Sequence, residues 1–241
     1  MKYIVGIDEV GRGPLAGPVT VGVVVCEAEF YKKLKHNKNL PPAGKDSKKL
    51  SEKDRQKYSE ILKYFSSSQS FLGYAISPAG LSLNLGALRS DNITSHPCEA
   101  PKKNYASKNI LKFHISHISN KIIDTKGLSF SIKKAIEQVI EKLKLNPKNC
   151  EVRLDGGLHA PAEFKNQKTI IRGDEKEKII AWASILAKVS RDALMRKAGK
   201  KYPQYGFEIH KGYGTSRHRS AIHKHGLSPI HRKTFCTRIK I

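Results

Sequence analysis

Cysteine is scarce in this chain of 241 residues: Cys26, Cys98, Cys150 and Cys236 stand far apart, with no CxxC spacing. That excludes a disulfide framework and a dithiol redox motif, and reduced thiols in a cytosol fit best. Long apolar runs are missing too. None approaches the ~20 residues of a membrane-spanning helix, and Met1 is followed by Asp8 before a signal-peptide core could form. A soluble cytoplasmic protein with no membrane attachment is expected. Acid is the third shortage, with 21 Asp and Glu against 45 Lys and Arg and a formal charge of +24. Such an imbalance is the electrostatic footprint of a nucleic-acid binder.

With acids so few, adjacent ones are informative. Residues 6–18, GIDEVGRGPLAGP, follow a β-branched start (Ile4, Val5, Ile7) and set Asp8 and Glu9 against a glycine turn. Carboxylates held together repel each other and resist joint ionisation. A sequence that fixes them there either supplies a compensating cation or leaves both in solvent at a strand end. Magnesium and manganese suit the first reading, because hard divalent ions take oxygen ligands. Successive strand residues face opposite sides, so the pair can share an ion only if the strand twists or ends, which Gly11 permits. Gly11, Arg12 and Gly13 open the backbone so that amides can approach a ligand. The spacing from Gly6 to Gly11 mimics a P-loop, but Arg12 and Gly13 replace the Lys-Ser/Thr pair, and that motif is set aside.

The pattern along the chain predicts strands at residues 1–9 and 19–26. A lysine run at 45–49 precedes a helix to about Phe65, opened by Ser51 with Asp54 three positions on. A third strand is expected at 70–76 and a short apolar segment at 81–88. Residues 89–120 read as a polar insertion ending in a helical stretch at 109–118. Ile132, Ala135, Ile136, Val139, Ile140 and Leu143 share one face of a helix over 129–145, which Pro147 ends. Strands follow at 150–154, with Asp155 at the end, and at 168–171. Asp174 then precedes a helix over 178–196. Strands alternating with helices indicate an α/β domain with a mixed sheet.

Several of these residues have plainer readings. Asp155 before Gly156 could be a turn, Asp174 with Glu177 a capping box, the lysine run a solvated face, and Tyr213 a packed aromatic. His96, Cys98, His114 and His117 could supply four zinc ligands, or they are loop residues.

The run IDEVGRGPLAGPV at 7–19 resembles the signature of the ribonuclease HII family. KDSKKLS (45–51), LDGG (154–157), GD (173–174), ASILAKVSRD (183–192), HKGYGT (210–215) and SPIHRKTF (228–235) reinforce the resemblance. It implies the ribonuclease H fold, a mixed central sheet flanked by helices. The catalytic core would cover 1–200, with the insertion at 89–120, and a C-terminal helical extension over 201–241 would pack on it. The implied chemistry is two-metal phosphodiester hydrolysis, with Asp8, Glu9, Asp155 and Asp174 holding two Mg2+ or Mn2+ ions. The implied substrates are RNA/DNA hybrids and duplex DNA with embedded single ribonucleotides, cut 5′ of the ribonucleotide to leave 5′-phosphate and 3′-hydroxyl ends, as in ribonucleotide excision repair. By the same resemblance Gly11, Arg12 and Gly13 read the 2′-hydroxyl through backbone contacts and Tyr213 packs near the sugar on the 3′ side. Lys45, Ser47, Lys48 and Lys188 are candidates for phosphate contacts. A monomer is expected, and no C-terminal clamp-binding motif is evident. Trp182 departs from the pattern, standing where the family generally has a small residue, which puts the placing of Asp174 in question. A non-catalytic hybrid-binding protein and a nonspecific or HIII-like nuclease are the rivals. Retention of all four acids argues against the first, and the glycine-arginine-glycine turn with Tyr213 against the second.

Overall fold

The computed structural model describes residues 1–34, 36, 40–41, 50–66 and 111–239. Strands β1 (Tyr3–Val10) and β2 (Val19–Glu27) are joined by a loop over 11–18, and β2 is buried almost throughout, as a strand covered on both faces must be. Helix α1 (Ala28–Leu34) follows β2 directly. Helix α2 (Glu52–Ser66) starts after Ser51, whose Oγ accepts the Asp54 amide at 3.1 Å, as expected of a serine N-cap. Next come β3 (Leu111–Ile118), α3 (Asn120–Lys126), α4 (Leu128–Lys142), β4 (Cys150–Asp155) and β5 (Gln167–Ile170). A single turn, α5 (Gly173–Lys176), leads into the long α6 (Lys178–Lys201), and α7 (Phe207–His210) and α8 (Ser216–His225) close the chain.

The strands lie in the order β3-β2-β1-β4-β5, with β2 antiparallel to β1 and β3, and β4 parallel to β1 and β5. This is a mixed sheet, and alternation along β1 splits the interior in two. Val5 and Ile7 join Ile132, Ala135, Ile136 and Val139 of α4 on one face. Ile4 joins Ile179, Ile180, Trp182 and Ala183 of α6 on the other. Helix α6 lies hard against the strands at two glycines: a Cβ at Gly6 would stand 2.3 Å from the Ile179 carbonyl oxygen, and one at Gly22 2.5 Å from that of Ala183. A third, smaller core joins Leu15 and Ala16 of the β1–β2 loop to Met195, Tyr205, Phe207 and Ile222. The C-terminal segments therefore pack directly on that loop.

One local expectation is corrected, and one alternative reading is set aside. Residues 111–118 are strand β3, not the helical end of an insertion: LKFHIS alternates apolar and polar with period two, and the free edge of β2 gives its backbone a ladder partner. Asp174 is not an N-cap. It lies inside α5, and Glu177 holds the N-cap position of α6, its carboxylate accepting from Arg153 Nη1 at 2.8 Å. Helices α1 and α3, of seven residues each, were not anticipated. The strand at 70–76, the apolar segment at 81–88 and residues 89–110 of the insertion lie outside the described residues. So do His96 and Cys98. His114 and His117, three apart on β3, point to opposite faces of the sheet, and so do not form half of a zinc site.

Trp182 is fully buried; its ring meets Tyr31 edge-on with centroids 5.8 Å apart, and Nε1 donates to the Pro41 carbonyl at 3.1 Å. It packs on the α1 side of α6. Replacing it with alanine is expected to cost about 3–5 kcal/mol, read by urea denaturation.

Candidate active site

The parallel pairing of β1 with β4 matches Ile7 to Leu154, so Asp8 and Asp155, one residue further on, emerge side by side at neighbouring strand ends. Carboxylate oxygens of Asp8, Glu9 and Asp155 lie within 4.8 Å of one another. The difficulty that Asp8 and Glu9 face opposite ways is relieved where β1 gives way to Gly11, whose φ of 91° is open to glycine. Asp174 lines the same cleft of about 390 Å3, beside Arg55, Ser184, Lys188 and Tyr213, but stands outside the group of three. It is delivered by the turn after β5, where the Gly173 amide donates to Asp155 Oδ1. A larger groove of about 730 Å3 runs past Arg12 and Gly157 and holds none of the four acids.

Burial raises the Asp8 carboxyl well above its usual range, and Glu9 and Asp155 push it further up against a hydrogen bond from Ser184. Glu9 is raised by burial as well, although Arg12 Nη1 sits 2.9 Å from its Oε1. Its other oxygen, Oε2, is buried with no hydrogen-bond partner among the described residues. Mutually repelling, buried carboxylates with an unsatisfied oxygen fit a hard divalent cation, which would neutralise the repulsion and take up the free oxygen. Asp8, Glu9 and Asp155 could hold such an ion, with Asp174 at its edge.

The loop after β1 is braced from beneath by two fully buried arginines that sequence reasoning missed. Arg232 donates to the carbonyls of Gly11, Arg12 and Gly17 at 2.7, 2.9 and 2.9 Å. Arg191 donates to those of Pro18, Lys211 and Ala16 at 3.0, 3.0 and 3.3 Å. No acid forms an ion pair with either among the described residues. A trans peptide is planar, with N–H and C=O opposed. Because the Gly11 and Arg12 carbonyls are held inward, the amides of Arg12 and Gly13 face outward, and no described residue accepts from them. A Cβ at Gly11 would collide with Arg191 Nε at 2.3 Å, whereas one at Gly13 would meet nothing within 4 Å. No described residue crowds position 13, so the surface there is open.

Tyr213 is 41% exposed at the cleft, and the Lys188 ammonium and the Arg191 guanidinium lie 6.0 and 5.9 Å from its ring centroid. Lys188 also pairs with Asp192 at 3.3 Å. Lys45, Ser47 and Lys48 lie outside the described residues. Arg55, Ser184, Arg191 and Arg232 were not singled out from sequence, although three of them sit inside the runs ASILAKVSRD and SPIHRKTF and Arg55 lies four residues past KDSKKLS. Among the described residues no helix is long and apolar enough to cross a membrane.

Known proteins share this sequence and fold. The chain is 35% identical over 238 residues to a ribonuclease HII of Clostridium beijerinckii, covering 99% of this chain and 69% of that one. It is 36% identical over 232 residues to a ribonuclease HII of Endomicrobium trichonymphae, covering 96% and 84%. The crystal structure of the ribonuclease H2 from Pyrococcus horikoshii OT3 superposes with a TM-score of 0.60 at 22% identity, over 96% of this chain and 93% of that one, which establishes the shared fold. The family model for Ribonuclease HII matches residues 5–239. With that match running from the strand that carries Asp8 to the segment that braces its loop, the chain belongs to the ribonuclease HII family and is a hydrolase of the ribonuclease H type.

Proposed function

We propose that the protein is an endonuclease that cleaves the RNA strand of RNA/DNA hybrids and cuts 5′ of single ribonucleotides embedded in duplex DNA, leaving 5′-phosphate and 3′-hydroxyl ends. The observation that carries this reading is the convergence of Asp8, Glu9 and Asp155 beside two outward-facing amides that no described residue uses. Asp8, Glu9, Asp155 and Asp174 would hold two divalent ions, Mg2+ or Mn2+. When bound, these supply an activated water and stabilise the leaving 3′ oxygen. Ser184 steadies Asp8. Arg55 and Lys188 flank the acids and suit the phosphates on either side of the scissile bond, with Lys45, Ser47 and Lys48 extending that contact.

Carboxylates and metal recognise features that RNA and DNA share, so selection must rest on groups that meet the 2′-hydroxyl, which can donate and accept. The amides of Arg12 and Gly13 are donors of that kind, and the Tyr213 face suits the adjacent sugar. The protein would act as a cytoplasmic monomer, with residues 1–200 as the catalytic core and 201–241 packed on it.

The test is metal-dependent incision of a duplex carrying one ribonucleotide, beside all-DNA and continuous-hybrid controls; uptake of all three alike would defeat the reading. In the same assay Tyr213→Ala is expected to stay folded and to lose incision at the lone ribonucleotide more severely than on the continuous RNA strand. Equal losses, or a large drop in Tm, would return Tyr213 to the role of a packed aromatic.

A further inference from the structure

Three buried histidines stand behind Tyr213, away from the carboxylates: His210 on α7, His218 on α8, and His231, whose backbone bridges to Ala16 of the β1–β2 loop. Their hydrogen bonds leave one proton arrangement for the neutral rings. His231 Nδ1 accepts the Ser228 amide at 2.8 Å, an N–H that cannot reverse, so the ring proton sits on Nε2. That Nε2 lies 3.0 Å from His218 Nε2, which must then be the acceptor. His218 therefore carries its proton on Nδ1, donated to the Tyr213 carbonyl at 2.8 Å. His210 lies stacked on His218 with centroids 4.3 Å apart; it donates from Nε2 to the Tyr205 carbonyl at 2.8 Å and accepts the Gly212 amide on Nδ1 at 3.2 Å. Every ring nitrogen is used, and among the described residues no carboxylate accepts from any of the three.

We propose that His218 and His231 are positioning residues for ribonucleotide selection, a relay of two neutral imidazoles that holds Tyr213 at a set distance from the turn at Arg12 and Gly13. The inference rests on the reading above that Tyr213 and this turn select the ribonucleotide. The relay reaches both sides of the ribose site. At one end His218 grips the Tyr213 carbonyl. At the other, His231 pairs with Ala16, next to Leu15, whose amide donates to the Gly212 carbonyl at 2.8 Å. Its neighbour Arg232 turns the Arg12 and Gly13 amides outward. A proton added to the pair is opposed at both sites: on His218 Nε2 it would face the His231 N–H, and on His231 Nδ1 it would face the Ser228 N–H, with only the Ser228 hydroxyl, 2.7 Å away, able to turn and accept it. The surroundings offer little to stabilise a cation, since His210 stacks on His218, Tyr205 and Phe207 pack on His231, and the charges that act on the two rings are those of neighbouring histidines. Burial accordingly lowers His218 and His231 to about 4. In the folded protein the pair stays neutral until pH approaches 4, while the stability it contributes, fully present above about 6.5, is lost as pH falls from 6.5 toward 4, the window in which the unfolded chain binds protons that the fold excludes.

The test measures the ratio of kcat/KM for a lone-ribonucleotide duplex to that for a continuous hybrid, which cancels losses common to both substrates, protonation of the carboxylates included. His231→Leu is expected to lower this ratio by about tenfold or more, because displacement of ~1 Å is enough for losses of that order. His231→Gln, which restores an N–H toward His218, is expected to recover part of it. In the wild type, nitrogen-15 NMR should show His218 as the Nδ1–H tautomer and no titration of His218 or His231 between pH 8 and 6. A folded His231→Leu with an unchanged ratio, or either imidazole titrating near 6.5, would overturn the relay; if His231→Leu does not fold, the NMR result decides alone. Failure of the underlying reading is distinct: it shows as Tyr213→Ala leaving the ratio unchanged, and failure of the relay as Tyr213→Ala moving the ratio while His231→Leu does not.

Discussion

Asp8→Asn is expected to reduce incision by ~10³-fold or more, well beyond the ~10–100-fold typical of groups that only support a metal ligand, while duplex affinity stays near that of the wild type. The asparagine keeps the shape and removes the charge that makes Asp8 a ligand. Affinity comes mainly from Lys and Arg on phosphates, and the chain keeps all 45 of them. The same substitution should raise the stability of the metal-free protein. Burial, Glu9 and Asp155 raise the Asp8 carboxyl well above its usual 3.8. The folded state therefore holds this proton more tightly than the unfolded chain, and the stability Asp8 contributes is present below 3.8 and lost as pH rises through the raised value. At neutral pH its charge is a cost that asparagine removes. Wild-type Tm should climb on adding Mg2+ or Mn2+, by mass action on the folded state, and the variant's should climb much less. Wild-type incision in Asp8→Asn, or an equal metal-induced rise in Tm, would sink the assignment of Asp8 as a ligand.

The second large effect is at Arg232. Replacing it by methionine removes the donors to three inward carbonyls, of Gly11, Arg12 and Gly17. Each buried acceptor left unpaired costs ~1–3 kcal/mol, so a loss of at least ~3 kcal/mol is expected in chemical denaturation. Incision of the lone ribonucleotide should fall further than this instability accounts for at temperatures where the variant remains folded, because the Arg12 and Gly13 amides are no longer held outward. Arg232→Lys should rescue poorly, since an ammonium cannot reproduce the planar fork that spans three carbonyls. Burial lowers the guanidinium to about 10, so it remains charged at neutral pH. Full activity in a folded Arg232→Met protein would show that the loop keeps its shape without the brace.

How much of this was legible in the chain depends on how local the determining physics is. The two β-branched runs that became β1 and β2 carry their period and their turn within about ten residues, as does the apolar stripe of α4, and each was located to within a few residues. The strand at 111–118 was misread as helical because its alternation covers only six residues and its decisive partner, the edge of β2, is more than eighty residues away in sequence. Asp174 invited a capping-box reading since the local pattern fits one. Only the fold shows Glu177 at the cap, bound to Arg153, with Asp174 turned to the cleft.

The sequence by itself determined that the chain is basic, poor in thiols and built on a glycine-flanked pair of acids, and its motifs pointed to the ribonuclease HII family. Those are properties of composition and of short runs, which need no partner to be read. Tertiary structure alone decided that Asp8, Glu9 and Asp155 converge, because convergence depends on the register of β1 with β4 across some 150 residues of chain. It alone decided that Arg191, Arg232 and the histidines serve the loop. A buried arginine and a solvent-exposed one look the same in a chain with 45 basic residues, and only the carbonyls that surround it tell them apart.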